Sequence, residues 1–340
     1  MSAVAATVED LTPAWLSEAL GTEVTAVEAE RVGTGQVGAS YRLHLTWDGG
    51  PATLVAKLGA GDEEARSRVA VGYRSEVRFY TELASTVRVR TPACWYGAIA
   101  DDGLTFTLIL DDLAPAVPGV QADGCGIDQA IAAVENLAGL HAPRWCDPTL
   151  NDLGLFSLDA SSADVLGDVM RDGVAQFLER YAGKVTDEDA ATMLEVPAAM
   201  RDFLRARPEC FSLLHGDYRL DNLMFGEEVH AVDWQTLAVG LPGRDLAYFL
   251  GTSLRTNDRR AHEEAVVAAY FRALGLDAAV YDEASCWRDY RIGTFQGPMI
   301  TVLGAVFATA ERSERADEMF LAMTRRSCAA IRDLDAFSVL

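Results

Sequence analysis

His215-Gly216-Asp217-Tyr218-Arg219-Leu220-Asp221-Asn222, followed by Val232-Asp233-Trp234, is the stretch that decides how this chain is read. Asp217 and Asn222 stand five positions apart, and Asp233 stands eleven beyond Asn222. A carboxylate at the first position can receive the proton of a hydroxyl group. An amide oxygen and a second carboxylate at the other two supply hard oxygen donors of the kind Mg²⁺ takes. In this order and spacing the three groups imply metal-assisted phosphoryl transfer, with Asp217 as base and Asn222 and Asp233 as metal ligands. The runs 211–214, 223–225 and 230–232 predict short buried segments around a tight turn at Gly226, rigid supports for those side chains.

His-Gly-Asp and Val-Asp-Trp taken singly are ordinary turns; together they are supported by three upstream features in the order the chemistry needs. The first is Gly33-Thr34-Gly35-Gln36-Val37-Gly38. A G-x-G-x-x-G run also opens the helix of a dinucleotide-binding unit, but here Ser40-Tyr41-Arg42-Leu43-His44-Leu45-Thr46-Trp47 follows with strict alternation. That is strand, glycine turn, strand. Gly33, Gly35 and Gly38 let the backbone fold over phosphates as a flap, and Ser40 begins the strand beside it. The second is Lys57, one of only two lysines in the chain, set in the apolar strand Leu54-Val55-Ala56-Lys57-Leu58 where it bridges phosphates. An edge-strand lysine reaching solvent is the competing account. The third is Glu76, on a helical stripe with Tyr73, Val77 and Tyr80, placed to pair with Lys57 and orient it. Glu82 is the weaker partner.

On these motifs the chain resembles the aminoglycoside phosphotransferase and choline-kinase-like family of small-molecule kinases, over nearly its whole length. It is most similar to the branch found as stand-alone bacterial phosphotransferases and fused to some acyl-CoA dehydrogenases, whose catalytic loop reads His-Gly-Asp-aromatic-Arg-Leu-Asp-Asn. Ecdysteroid-kinase-like proteins resemble it more distantly. The resemblance implies an α+β, bilobal protein-kinase-like fold, with a five-stranded antiparallel N-lobe sheet plus helix in residues 1–112 and a mainly helical C-lobe in 113–340. It implies ATP or GTP as donor, Mg²⁺ as cofactor, Asp217 as base, Asn222 and Asp233 as metal ligands, and Lys57 with Glu76 positioning phosphates. It also implies that Asp245, in Gly243-Arg244-Asp245-Leu246-Ala247, buttresses the catalytic loop. His215 and His141 read as packed, hydrogen-bonded histidines.

Departures from protein kinases are informative. Gly216 stands where many have the arginine that pairs with a phosphorylated activation loop. Between Asp233 and Asp245 there are only eleven residues and no Ala-Pro-Glu segment follows, which argues against peptide docking. Arg219 is placed either to reach the transferring phosphoryl group or to pair with Asp221 or Glu227. Trp234 either packs in the core or walls an acceptor pocket. With Trp287, Tyr290, Arg291, Phe295 and Gln296 it makes up the candidate pocket, whose aromatic character suits a hydroxylated small molecule with apolar surface. A nucleotide-binding pseudokinase is the alternative class. The presence of a base argues against it.

Strands are expected near 24–32, 40–47 and 52–58, a helix over about 63–85, and a hairpin of 94–100 and 104–110 around Asp101-Asp102-Gly103. Leu110-Asp111-Asp112-Leu113 reads as a hinge whose backbone at Asp111 and Leu113 meets adenine. From about 128 onward the pattern is helical. The run 293–310 is apolar but broken by Gln296, Gly297 and Pro298, so it reads as a buried helix rather than a membrane span. Six cysteines without C-x-x-C or zinc spacing, and no cleavable signal, predict a reduced, cytoplasmic location without structural metal. A net charge of −22 argues against nucleic acid and anionic membranes as partners.

Overall fold

The structure, a computed structural model, describes residues 4–33, 38–155, 163–307 and 313–340. Its contacts gather into two compact units. The first comprises Met1–Thr86, Thr91–Pro115 and Val232–Leu237, and the second Val87–Arg90, Ala116–Ala231 and Ala238–Leu340. The Asp233 segment therefore packs with the N-terminal residues and not with its neighbours in sequence.

In the first unit, helix α1 (Pro13–Leu20) starts where Thr12 accepts a bond from Trp15 N and ends at Gly21, at φ +67°. Strands β1 (Val24–Val32), β2 (Gly38–Trp47) and β3 (Thr53–Gly59) follow, then helix α2 (Glu63–Arg78), β4 (Cys94–Ile99) and β5 (Phe106–Asp111). The five strands form one antiparallel sheet in the order β1-β2-β3-β5-β4. Alternation sorts its faces. On β3, Leu54, Ala56 and Leu58 join Leu43, Leu45, Ile109 and Leu16 in one core, which sends Lys57 to the opposite face. Burying each of those leucines contributes about 2 kcal/mol. β5 lies between two strands and is buried along Phe106 to Leu110, as its unbroken apolar and threonine content requires.

Helix α2 is capped by Asp62, which accepts from Ala65 N at 2.8 Å. Its regular turns stop at Arg78, short of the expected end near 85, and continue as a wider π-turn over Phe79–Leu83. The wider register turns Phe79, Tyr80 and Leu83 all inward.

The second unit is mainly helical. Short strands β6 (Val117–Pro118), β7 (Ser212–Leu214), β8 (Leu223–Phe225), β9 (Val229–Ala231) and β10 (Ala238–Gly240) form a β6-β8-β9 sheet and a β7-β10 ribbon. Its helices are α3 (Ile127–His141), α4 (Ala163–Arg180), α5 (Asp187–Arg205), α6 (Gly243–Ser253), α7 (Thr256–Leu274), α8 (Glu283–Gly293), α9 (Gln296–Phe307) and α10 (Glu314–Asp333). Helix α6 is the axis of this unit, buried at every residue. It crosses α8 at the closest approach glycine permits: a Cβ on Gly293 would stand 2.0 Å from the carbonyl oxygen of Gly243, and one on Gly243 would stand 2.3 Å from that of Asp289. Much of the 293–310 run forms α9, and among the described residues no helix is long and apolar enough to cross a membrane.

Candidate active site

The polar residues singled out in the sequence fall into two groups, one in each unit. In the first unit, Lys57 Nζ lies 2.7 Å from Glu76 Oε1 and 3.3 Å from Asp233 Oδ1. Burial opposes the charge on Lys57, but the two carboxylates prevail and hold its pKa above the ordinary lysine value. Glu76 is pushed upward by burial, against the pull of Lys57. Its side chain is 1 % exposed, whereas that of Asp233 is 44 % exposed and open to a ligand. Glu82 pairs instead with Arg78. Ser40 sits opposite Lys57 in the β2–β3 register, so their side chains share a face. Gly38 gives the lysine its path: a Cβ there would stand 3.2 Å from Lys57 Cε. Gly33 takes φ +74°, which a residue with a side chain rarely adopts. Gly35 lies outside the described residues.

Asp233 takes φ +66°, a left-handed position that costs a residue with a Cβ about 1 kcal/mol or more. The reversal turns the chain so that Trp234 N faces Glu76 Oε1 at 3.4 Å and Gln235 Nε2 donates to Glu76 Oε2 at 3.2 Å. The Trp234 ring is fully buried, stacked on Phe79 at 3.5 Å between centroids, with its Nε1 donating to Thr91 Oγ1 at 3.2 Å. Of the two uses foreseen for Trp234, the structure shows core packing. At the expected hinge, Asp111 N–H already donates to the Ala93 carbonyl at 2.9 Å, which leaves its carbonyl and the Leu113 backbone as the adenine-facing candidates. Arg42 fixes the segment by donating to Asp112 at 2.6 Å.

In the second unit the catalytic-loop motif runs between β7 and β8. Gly216 takes φ +81°, so glycine is favoured there on backbone grounds alone. Asp245, fully buried on α6, accepts from His215 N at 2.6 Å and Gly216 N at 3.0 Å. Burial raises its pKa, but the hydrogen bond and electrostatic influence of His141, with help from His215, outweigh that and hold it below the ordinary carboxylate value. His141 is fully buried and lies 2.7 Å from Tyr270 Oη. His215 is buried as well, its ring edge-on to Tyr218.

Asp217 sits in a cage of donors. Tyr248 Oη donates to its Oδ1 at 2.7 Å, while Arg219 Nε and Asn222 Nδ2 donate to its Oδ2 at 3.1 and 3.0 Å. Asn222 Nδ2 also donates to the Asp217 carbonyl at 2.9 Å, which fixes the amide so that its Oδ1 is the atom available to a cation. Of the two uses foreseen for Arg219, the structure shows ion pairing: its guanidinium is held by Asp217 and Asp221. Burial works against that charge, but Asp217 foremost keeps its pKa above the usual arginine value.

Three supports were missed in the sequence. Gln121, fully buried, accepts from Leu220 N at 2.9 Å and donates to Thr252 at 3.0 Å, and its own N–H donates to Asp221. Nothing near Gln121 in the chain signals this. Tyr248 follows Asp245 by three, so one face of α6 carries both grips on the loop; that spacing was legible once α6 was known to be a helix. Gln235 gave no cue beyond adjacency to Trp234.

Three of the acceptor-pocket candidates, Tyr290, Phe295 and Gln296, are corrected. Tyr290 is buried and donates to Glu263 at 2.9 Å, and Phe295 is buried against Phe203 and Phe337. Gln296 is a loop support: it accepts twice from Arg244, at 3.0 and 2.9 Å, and donates to the Gly216 carbonyl at 3.4 Å. Burial pushes the Arg244 guanidinium down to about 10. Arg291 ties down the chain end through the carbonyls of Leu334 and Asp335. Trp287 is half-buried against Tyr290.

A two-unit fold with an antiparallel sheet bearing a paired lysine, and a helical unit presenting a caged aspartate on a His-Gly-Asp loop, defines a kinase-like phosphotransferase. The chain belongs to the phosphotransferase enzyme family, whose model matches residues 29–287. It is a small-molecule kinase, a transferase with a hydroxyl acceptor. No curated protein sequence matches it. Among solved structures it is similar in fold to choline kinase from Cryptosporidium parvum Iowa II, with TM-score 0.61 and 10 % identity, covering 97 % of this chain and 94 % of that one. It is also similar to the GDP complex of aminoglycoside 2'-phosphotransferase-IIIa, with TM-score 0.57 and 13 % identity over 89 % and 93 % of the two chains. A spectinomycin phosphotransferase in complex with ADP and its antibiotic matches with TM-score 0.50 and 12 % identity over 95 % and 97 %. These likenesses establish a protein-kinase-like fold.

Proposed function

We propose that this kinase transfers the γ-phosphoryl group of ATP or GTP, with Mg²⁺, to a hydroxyl of a small molecule. The observation that carries the reading is the caged carboxylate of Asp217, with both oxygens oriented by donors on a loop that Asp245 and Gln296 hold from behind. Asp217 accepts the hydroxyl proton as the acceptor oxygen bonds to the γ-phosphorus and the bond to the β–γ bridging oxygen breaks, giving a phosphate ester and the nucleoside diphosphate. Lys57, held by Glu76, meets the phosphates. Gly33, Gly35, Gly38 and Ser40 form the flap, and the carbonyl of Asp111 with the Leu113 backbone meets the base. The structural neighbours bound to GDP and ADP support a purine nucleotide donor.

The donor chemistry of Asn222 and Asp233 fits Mg²⁺: one amide oxygen and one carboxylate, both hard ligands, with the rest of the shell left to phosphates and water. Among the described residues no three His, Cys, Asp or Glu side chains gather into a metal cage, and Mg²⁺ at a phosphate site needs none. When bound, the ion neutralises charge developing on the phosphate oxygens. Calorimetry tests the reading: the wild type binds ATP or GTP when Mg²⁺ is present, and Asp233→Ala loses the metal-dependent part of that affinity. A wild type with no affinity for either nucleotide rejects the assignment.

A further inference from the structure

Helix α2 carries Gly72 in its middle, where alanine would stabilise an isolated helix by about 1 kcal/mol. Its φ is not positive, so no backbone strain calls for it. What it provides is room: a Cβ there would stand 3.2 Å from the Gln235 Cβ and 3.3 Å from the Gln235 carbonyl oxygen. Residues four and seven further along a helix share its face, and these are Glu76 and Phe79. All three meet the turn that follows Asp233. Gly72 receives the stem of Gln235, Glu76 receives Trp234 N–H and Gln235 Nε2, and Phe79 receives the Trp234 ring, nearly parallel at 9°. The result is a division of labour on one buried carboxylate. Lys57 faces Oε1 of Glu76, and Gln235 fills Oε2.

We propose that Gln235 is a positioning residue for Lys57: its side-chain amide, bonded to Oε2 of Glu76, locks the Glu76–Lys57 pair in its phosphate-binding arrangement before nucleotide arrives. The proposal rests on Lys57 being the phosphate-binding lysine. An amide suits the task because it donates to Oε2 without bringing a cation that would compete with Lys57 for the carboxylate. A carboxylate of the same shape would repel Glu76, and a thioether of the same length would leave Oε2 without a donor.

The experiment is calorimetry on the wild type, Gln235→Met and Gln235→Glu, with thermal unfolding recorded alongside. The ligands are Mg·ATP or Mg·GTP, whichever the wild type binds more tightly, and the matching nucleoside, measured by competition. Loss of one hydrogen bond to a charged group corresponds to about tenfold in affinity. The triphosphate should therefore bind about tenfold more weakly to Gln235→Met and more weakly still to Gln235→Glu, while the nucleoside binds all three alike. Gln235→Glu or Gln235→Met binding the triphosphate as the wild type does overturns the proposal. So does an equal loss for triphosphate and nucleoside, which would make Gln235 a general fold contact. A separate outcome, wild-type binding of the triphosphate no tighter than of the nucleoside, removes the Lys57 assignment itself.

Discussion

At the scale of single residues, the cage around Asp217 separates what each side chain contributes. Asp217→Asn keeps the shape and loses the proton acceptor, so turnover should fall by roughly 10²- to 10⁴-fold while nucleotide affinity holds. Steady-state kinetics beside calorimetry checks this, and an Asn variant with wild-type turnover excludes Asp217 as base. Tyr248→Phe removes only the hydroxyl that donates to Asp217 Oδ1 at 2.7 Å. Burial, then the charge of Asp217, holds that phenol well above its usual pKa, so it remains a donor through the working pH range. Its loss should lower turnover by about tenfold without changing nucleotide affinity, in line with one hydrogen bond to a charged group. The pairing of Lys57 with Glu76 was legible because a strand position and a helical stripe are local properties, whereas the grip of Asp245 on the loop was implied by the family resemblance. Tyr248, Gln121 and Gln235 act on partners 31, 99 and 159 positions away. No periodicity within a window of the chain can encode such a contact.

At the scale of elements, the glycine crossing of α6 and α8 is the tightest contact that positions the loop, because α6 carries Asp245. Gly293→Ala would force a Cβ to 2.0 Å from the Gly243 carbonyl oxygen, and the helices must part to admit it. Overpacking of this kind costs about 1–3 kcal/mol or more. A urea titration should show the midpoint falling, with turnover falling as the loop loses its support. An unchanged midpoint would mean the crossing is slack. Helices α8 and α9, which pack on α6, explain why three of the acceptor-pocket candidates were misread. Tyr290, Phe295 and Gln296 look like a lining in sequence because aromatic and polar side chains mix there, yet their mixture serves a buried helix pair whose polar atoms must be satisfied internally. Strand positions and the α2 stripe were readable from alternation and spacing. The π-turn was not, and neither was the stacking of Phe79 on a ring 155 positions away.

At the scale of the whole molecule, charge and thiols make distinct expectations. With a net charge of −22, the protein should favour neutral or cationic hydroxyl compounds over anionic ones. Incubation with γ-labelled nucleotide and separate pools of peptides, anionic sugars and uncharged or cationic hydroxyl compounds checks this, and labelling confined to the peptide or anionic pool refutes it. Burial pushes the Cys94 thiol up from 9.0 to about 11 and those of Cys125 and Cys286 up to about 12. The folded chain then keeps protons that the unfolded chain releases, so this contribution is whole below about pH 9 and is lost as pH rises toward about 11 to 12. Thermal midpoints should fall across that window, and a variant with serine at all three positions should fall less. The chain passes from one compact unit to the other after Thr86, Arg90, Pro115, Ala231 and Leu237. No single cut can therefore yield the N-terminal unit whole. A fragment ending at Pro115 would lack Val232–Leu237, so Glu76 would surrender two donors and Phe79 its aromatic cover. Such a fragment should be insoluble by itself and be rescued by co-expression with the remainder, which makes the six-residue excursion a natural seam for split-protein reporters.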